Sequence, residues 1–330
     1  MDLGIDTPTR YAQVAVVDTD GNLQHEFRLP NDRLDELAEE YAGSDAVIEA
    51  SGNYRPIYET LNEHLSVTLA NPAKNRLIAD ATVKTDRLDA KRLAHMLHAG
   101  MLAESYIPAD EIRELRDLVR TRKGLVEKRT AEKNRLRAVL KRTDNAYDSE
   151  LFGPNGREFL TELSHSEADR TIIEAHLSAI DVYDEEIASL EEQIERHVLE
   201  SAAAQRLLSI PGVGQFTAAV VVAEIGEIER FDSDKELVSY AGLDPVVHQS
   251  GEKEIQGSIS KEGSAPLRWT LVQAAHTAVR CDDYFGNFYT RLKRRKNHQI
   301  AIVATARRML VSIYYMLTRK EVYDPPEVSA

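Results

Sequence analysis

The feature that most constrains the fold is the order of short apolar runs and amphipathic segments in the first 100 residues. Five runs have the length and composition of strands: residues 2–6, 11–18, 22–29, 45–50 and 66–70. Residues 18–21 between the second and third runs have the composition of a hairpin turn, with a glycine where positive φ is expected. Three segments have helical patterns: about 31–42, 54–64 and 86–99, the first with Asn31 as its N-cap.

This order predicts three antiparallel strands followed by helix, strand, helix, strand and helix, which is the order of the ribonuclease-H-like α/β fold. In that fold the first and fourth strands are neighbours, so we expect Asp6 and Glu49, which end those strands, to lie side by side. Asp86 and Asp89 stand three residues apart at the start of a predicted helix and share one face of it.

Asp6, Glu49, Asp86 and Asp89 are therefore a candidate metal site. Carboxylates are hard oxygen ligands for Mg²⁺, and two ions roughly 4 Å apart can flank a phosphodiester and stabilise the attacking and leaving oxygens. The alternative is ordinary surface charge, which suits Asp86 and Asp89 as acids in a first helical turn. It suits Glu49 less, because an acid that completes a buried strand is unfavourable without a partner.

Two long helices are predicted in the middle of the chain. Residues 109–142 would form a helix about 51 Å long if it is continuous. Residues 168–200 carry apolar side chains at intervals of 4, 3, 7, 3 and 4, namely Ile173, Leu177, Ile180, Ile187, Leu190 and Ile194. Such spacing is typical of a coiled coil or a helical hairpin. Residues 153–156, Gly-Pro-Asn-Gly, indicate a break between the helices.

The 330 residues divide into three predicted domains, at 1–105, 106–202 and 203–330. The first is ribonuclease-H-like and the second is helical, for oligomerisation. The third is mostly α-helical, with helices near 217–225, 266–280 and 298–319 and a polar Gly/Ser-rich loop over 248–264.

The charge is unevenly distributed. The net charge of −14 argues against nucleic-acid binding through overall charge. However, residues 109–142 carry 12 Lys and Arg against 6 acids, and residues 291–308 carry 7 Lys and Arg and no acid. Many acids with few lysines (13 Lys, 28 Arg) suggest a halophilic protein adapted to high salt, a hypothesis that salt-independent stability would contradict.

Three places are candidates for nucleic-acid contact. The turn at residues 210–214 resembles a helix-hairpin-helix element, in which the amides of Gly212 and Gly214 would bind a backbone phosphate; a plain tight turn is the alternative. Lys261 and Arg268 could hold phosphates or be surface charge. The basic run has neighbouring aromatic side chains and favours nucleic acid more strongly; its cations are Arg291, Lys293, Arg294, Arg295 and Lys296.

Ser250 lies in the polar stretch and is a candidate nucleophile. Loop serines are usually solvated turn residues, and a serine attacks only if a base or metal activates it. His248 is close in sequence, but no local Ser-His-Asp arrangement is evident. Three serines in the same region compete with it: Ser258, Ser260 and Ser264.

The remaining composition narrows the class of protein. One cysteine, Cys281, excludes an intrachain disulfide and a cysteine-based zinc site. No apolar stretch reaches the roughly 20 residues that span a bilayer, and residues 1–4 lack the features of a secretory signal. We therefore expect a cytoplasmic protein without a membrane partner.

Taken together, these motifs resemble the DEDD transposases of the insertion-sequence-110 family over essentially the whole chain. The resemblance in the first half is to the RuvC-like nuclease domain of the family, through residues 4–6, 48–52 and 84–90. In the second half it is to the C-terminal transposase domain, through residues 210–214, 240–245, 250–251, 259–263 and 267–268.

The resemblance implies an Mg²⁺-dependent, site-specific DNA recombinase. The acidic tetrad of the family carries over to Asp6, Glu49, Asp86 and Asp89, and its catalytic serine carries over best to Ser250. The family also implies a structured guide RNA that pairs with donor and target DNA, and a homodimer or homotetramer. Two departures stand out: residues 7–9 are Thr-Pro-Thr where Val-Ser-Lys is common, and Glu252 follows the serine motif, which usually carries more glycine.

Two other functions remain open from the sequence. A hydrolytic or Holliday-junction nuclease would use the same acids with water as nucleophile, so that Ser250 would be dispensable. A non-catalytic nucleic-acid-binding scaffold would need neither the acids nor the serine.

Overall fold

The computed structural model describes residues 1–8, 10–50, 54–72, 74–75, 86–145, 147, 150–163, 166–250 and 253–325, without the side chains of 86–87, 247–250 and 253–257. These residues form two compact units, Met1–Ile107 and Pro108–Ala330. The predicted middle and C-terminal regions both lie in the second unit.

The first unit is built on a five-stranded mixed sheet in the order β3-β2-β1-β4-β5. Its strands are β1 (Asp2–Asp6), β2 (Tyr11–Val17), β3 (Leu23–Pro30), β4 (Asp45–Glu49) and β5 (Ser66–Ala70). The first three are antiparallel, whereas β1 with β4 and β4 with β5 are parallel. The prediction that the first and fourth strands are neighbours is confirmed.

Helices cover both faces of this sheet. They are α1 (Leu34–Glu40), α2 (Tyr54–Leu61) and α3 (Asp86–His98). Alternate residues of the central strands point to opposite faces. Ile5 and Ile48 pack with α1 and α2 on one face, and Val47 packs with α3 on the other.

The predicted capping role of Asn31 is wrong. A 3₁₀ turn over Asn31–Arg33 precedes α1, and no side chain caps either element. The Nδ2 of Asn31 instead donates to the carbonyl of Pro8 at 3.3 Å. This long-range contact takes the place of the local cap.

The second unit begins with a long antiparallel helix pair. Its elements are α4 (Asp110–Arg142), α5 (Pro154–Glu162) and α6 (Glu167–Glu200). Ion pairs join α4 to α6 in opposite chain directions: Arg142 with Asp169, Arg129 with Asp184 and Arg122 with Glu191. Four isoleucines of the predicted spacing are buried, at positions 173, 180, 187 and 194.

The rest of this unit is helical apart from one hairpin. Its elements are α7 (Ala202–Leu207), α8 (Gln215–Ile225), α9 (Asp234–Tyr240), β6 (Pro245–Ser250), β7 (Lys253–Ile259), α10 (Ala265–Cys281), α11 (Asp283–Lys293) and α12 (His298–Arg319). The loop predicted over 248–264 is therefore wrong as far as residue 259, because β6 and β7 pair antiparallel there, whereas residues 260–264 lie outside helices and strands. Leu115 and Val119 of α4 and Ile194 of α6 share one core with these helices.

One helix in the described chain, α12, is long and apolar enough to cross a membrane, judged by length and composition alone. This corrects the expectation that no apolar stretch is long enough. However, 56% of the most apolar stretch of this helix is buried inside the protein. Met309, Leu310 and Ile313 are fully buried in the main core, as is typical of a central helix in a globular unit.

Candidate functional site

The C-terminal ends of β1 and β4 place two acidic residues at neighbouring positions in the sheet. Ile5 pairs with Ile48, and each strand ends one residue later, at Asp6 and Glu49. Adjacent strands lie about 4.8 Å apart. Because side chains alternate, Asp6 shares the face of Gly4, and Glu49 shares the face of Val47.

Helix α3 crosses this face with its N-terminus towards the two acids. A Cβ at Gly4 would collide with backbone atoms of Ala90 and Ala94, so glycine permits the close approach of helix and strand. The Nδ1 of His98 lies 2.8 Å from the Oδ2 of Asp2, at the other end of β1. The helix therefore runs antiparallel to β1, and its first turn lies towards Asp6.

Asp89 lies on the side of α3 that packs over β4. Leu93 packs against Val47 in a small buried cluster, and Asp89 is one turn earlier on the same helix face. It accepts a hydrogen bond from the Nη1 of Arg92 at 3.3 Å, and 34% of its side chain is exposed. Its position continues the β4 stripe towards Glu49.

Asp86 is the first residue of α3, but its side chain lies outside the described part of the structure. Among the described residues, no group of three or more Asp, Glu, His or Cys side chains is close enough to hold a metal ion. The strand pairing and the direction of α3 nevertheless bring the backbone positions of all four acids to one end of the sheet. Their carboxylates are the oxygen donors that a divalent ion such as Mg²⁺ prefers.

Ser250 lies at the tip of the hairpin rather than in a loop. It ends β6, and it pairs with Lys253, the first residue of β7. The two residues between them, Gly251 and Glu252, and the side chain of Ser250 lie outside the described residues.

Two of the competing serines have structural partners. The hydroxyl of Ser260 donates to the Oδ1 of Asp244 at 2.6 Å, which fastens the base of the hairpin. Ser264 is the N-cap of α10, where its Oγ accepts from the amide of Leu267, and it donates to the Oε2 of Glu224 at 2.9 Å. Ser258 is exposed near the end of β7.

Glu224 is a functional candidate that the sequence analysis missed. It is fully buried in α8, and its carboxylate accepts two hydrogen bonds from Arg120, at 2.9 and 3.0 Å. Burial works against the charge of Arg120, but hydrogen bonding and attraction from Glu224 leave its pKa above the ordinary value. An acid inside the apolar run 217–225 was the available signal.

The turn at residues 210–214 joins α7 to α8. Gly212 has φ of +93° and faces α10 so closely that a Cβ would lie 2.7 Å from the amide nitrogen of Ala278. Gly214 is the N-cap of α8 and borders open space. Gly212 thus serves packing, whereas the end of α8 at Gly214 is open to solvent.

The two cations near the hairpin differ in their surroundings. Lys261 is exposed and has φ of +57°. The Nη1 of Arg268 donates to the carbonyl of Ala241 at 2.9 Å, so this guanidinium is partly committed to the backbone.

The basic run lies at the end of α11 and in the following turn. Arg291, Lys293, Arg294, Arg295 and Lys296 are all exposed. Over the described part of the chain, none of these five takes part in an ion pair within 4.0 Å. They form a concentrated positive surface in an acidic protein.

Comparison with known protein families identifies both parts of the chain. Residues 3–144 match the model of the IS110 DEDD transposases, described as a transposase. Residues 204–290 match the model described as the transposase IS116/IS110/IS902 family. The first match covers the acidic positions, and the second covers Ser250.

Individual relatives agree with these matches. The transposase for insertion sequence element IS1111A of Coxiella burnetii is 27% identical over 97% of this chain and 90% of its own length. A probable family 20 transposase of Pseudomonas aeruginosa is 33% identical over 42% of each chain. The pilin gene-inverting protein of Moraxella bovis is 26% identical over 84% of this chain and 81% of its own. With both family matches in the expected order along one polypeptide, the chain belongs to the DEDD transposases of the IS110 family.

Proposed function

We propose that this protein is a site-specific DNA transposase that cleaves and exchanges strands of an insertion element. The observation that carries this is the meeting of Asp6 and Glu49 at adjacent strand ends, with α3 starting beside them. The strand order supports a RuvC-like, ribonuclease-H-like nuclease domain at 1–105. We assign 106–202 to oligomerisation, as a coiled-coil helix pair, and 203–330 to the serine-bearing domain with a helix-hairpin-helix-like turn.

Asp6, Glu49, Asp86 and Asp89 would hold divalent metal, with Mg²⁺ as the expected ion because all four ligands are carboxylates. When bound, Mg²⁺ would stabilise negative charge on the attacking and leaving oxygens of a phosphodiester. The protein contributes the placement: two positions are fixed by a sheet and two by a helix packed on it. Rigid elements of this kind hold ligands in register better than loops do.

Ser250 would supply the nucleophile. Its hydroxyl oxygen attacks phosphorus and forms a phosphoserine ester, one ester oxygen of the DNA strand leaves, and that oxygen ends with a proton as a free hydroxyl. One phosphodiester is exchanged for another, so the cut can be resealed onto a different strand without an outside energy source. The hairpin tip is a suitable carrier, because it presents Ser250 at the end of a paired strand.

Nucleic-acid binding would use the exposed cations and the open turn. The basic run at 291–296 and Lys261 would contact phosphates, with contributions from Arg268 and from the open helix end at Gly214. A structured guide RNA would supply sequence recognition by base pairing, while the protein reads backbone shape. Such a division of labour suits a chain whose net charge is −14.

Self-association would use the long helices. Three large apolar side chains of α6 are exposed: Ile172, Val182 and Leu199. A homodimer or homotetramer would bury them.

The decisive experiment traps a protein–DNA adduct that survives denaturation. Wild-type protein with its element DNA, guide RNA and Mg²⁺ should give the adduct, and Ser250→Ala should give none. Ser258→Ala is the matched control, because Ser258 is an exposed serine on the paired strand. Cleavage by Ser250→Ala without an adduct would instead indicate a nuclease that uses water, and loss with Ser258→Ala alone would move the nucleophile.

The acidic site is tested with two variants of the same strand. Glu49→Gln should reduce strand cleavage at least a hundredfold, since the amide removes a metal-binding charge. Asp45→Asn, at the other end of β4 on the same face, should cleave normally. Both should bind DNA as the wild type does, measured by gel shift. Normal recombination by Glu49→Gln would refute the metal assignment.

A further inference from the structure

A cavity that is open to solvent, with a largely apolar lining, lies where α10, α11 and α12 meet, beside the basic run. It has a volume of about 410 Å³, within the usual range for ligand pockets. The residues that line it are His276, Val279, Arg280, Tyr289, Thr290 and His298.

Three flat rings form the wall of this cavity. The rings of His276 and His298 have centroids 5.4 Å apart, and the rings of Tyr289 and His298 meet edge to face at 5.9 Å. A hydrogen bond of 2.8 Å between the Tyr289 hydroxyl and the Nδ1 of His298 fixes two of them together. Tyr289 and His298 are therefore joined to each other without a ligand.

The charge around the cavity is positive. None of the six lining residues is acidic, and Arg280 on its rim is exposed. Lys293 lies 5.6 Å from the centre of the Tyr289 ring, which lines the cavity. A ligand here meets flat rings inside the cavity and cations immediately outside it.

These features fit one nucleotide better than a metal ion or an apolar molecule. A base that leaves its stack is held by aromatic and imidazole rings and by guanidinium planes. Its phosphates remain outside, where Lys or Arg side chains pair with them. The cavity supplies rings for the base, and the run at 291–296 supplies cations for the flanking backbone.

We propose that this cavity receives an unpaired nucleotide of the nucleic acid bound by the protein, with Tyr289 as the stacking residue and Arg280 at its phosphate. This rests on the proposed function, because it assumes that the protein binds nucleic acid. With this cavity the protein would bind nucleic acid that has a bulge or a splayed base more tightly than a continuous duplex. The basic run alone would not make this distinction.

The test measures fluorescence anisotropy of labelled duplexes titrated with the full-length protein. Each duplex is made fully paired and with one unpaired nucleotide, in a DNA and an RNA version that distinguish the two sources. The wild type should prefer the unpaired form by roughly tenfold in at least one version, a modest value for one aromatic–base stack. Tyr289→Ala should remove this preference and leave affinity for paired duplex within about twofold.

Two controls separate stacking from folding and from general charge. Tyr289→Phe keeps the ring and should keep the preference for the unpaired form. The outcome therefore does not depend on the alanine variant alone, which could lose the preference by misfolding. Tyr315→Ala removes a tyrosine that is 41% exposed beside Arg319 on α12, and it should change nothing. Arg294→Ala should weaken both duplexes equally, as a phosphate contact does.

The outcomes distinguish this inference from the proposed function. Equal binding of paired and unpaired duplexes by the wild type, or a preference that survives Tyr289→Ala, would overturn the nucleotide cavity and leave the transposase proposal intact. Failure to bind any nucleic acid would overturn both.

Discussion

At the scale of single residues, Glu224 is a buried acid that hydrogen bonds to several helices of the second unit. Among the described residues it is the only fully buried charge. Its carboxylate binds Arg120 of α4 and Ser264 at the start of α10, and its backbone carbonyl accepts the hydroxyl of Tyr240 at 3.0 Å. One acid thereby connects four helices around the base of the hairpin that carries Ser250.

Removing Arg120 should therefore destabilise the protein more than neutralising Glu224. Arg120→Ala leaves a buried carboxylate with only Ser264, and we expect a loss of about 3 kcal/mol in unfolding free energy, the lower end for a broken buried pair because half of Arg120 is exposed. Glu224→Gln keeps a hydrogen-bonding group and should lose less. Denaturant unfolding measures both.

Arg129→Ala is the matched control on the same helix. Its partner, Asp184, is 43% exposed, so the pair should contribute less than about 1 kcal/mol. Equal losses for the Arg120 and Arg129 variants would show that the buried pair has no special role.

The difference between Glu49 and Glu224 shows what the sequence can predict about single residues. Both are acids in apolar runs, but Glu49 ends a strand whose neighbour follows from the order of elements. The partners of Glu224 lie 104 and 40 residues away, on helices whose packing no local pattern specifies. The position of Asp6 beside Glu49 was therefore predictable, and the Glu224 cluster was not.

At the scale of elements, spacing predicted the helices well and missed the hairpin. The intervals of seven in α6 correspond to buried isoleucines, because each returns to the seam with α4. Strand β6 turns polar after its two valines, and β7 is mostly polar and carries one glycine, so their alternation gives little apolar signal. They form because their backbone groups pair with each other and because Ser260 and Asp244 fasten their base.

Two substitutions in α6 should separate folding from assembly. Ile187 is buried in the seam, so Ile187→Ala should lower the unfolding free energy by about 2–5 kcal/mol. Val182 is 53% exposed, so Val182→Asp should change stability by less than about 0.5 kcal/mol. If α6 also mediates self-association, Val182→Asp should lower the mass measured by analytical ultracentrifugation. An unchanged mass would exclude this part of α6 from the interface.

At the scale of the whole molecule, the chain is acidic overall but has two basic segments. The chain has 55 acids and 41 Lys and Arg, so the acids repel one another across the surface. The segments 109–142 and 291–308 are nevertheless basic and are where nucleic acid would bind. Charge counts along the sequence predicted this contrast. They could not predict that three arginines of α4 pair with acids of α6, whereas the cations of 291–296 stay more open.

Salt should therefore move stability and nucleic-acid affinity in opposite directions. Added KCl shortens the screening length from about 10 Å at 0.1 M to about 3 Å at 1 M, so repulsion among the acids should fall and the thermal unfolding midpoint should rise. Over the same range, binding of duplex DNA should weaken steeply as counterions compete for the phosphates. Calorimetry and anisotropy on one protein sample would measure both. The rise in midpoint should flatten near 1 M if screening causes it, because little repulsion then remains; a midpoint that falls, or stays constant from 0.1 M upward, would contradict adaptation to high salt.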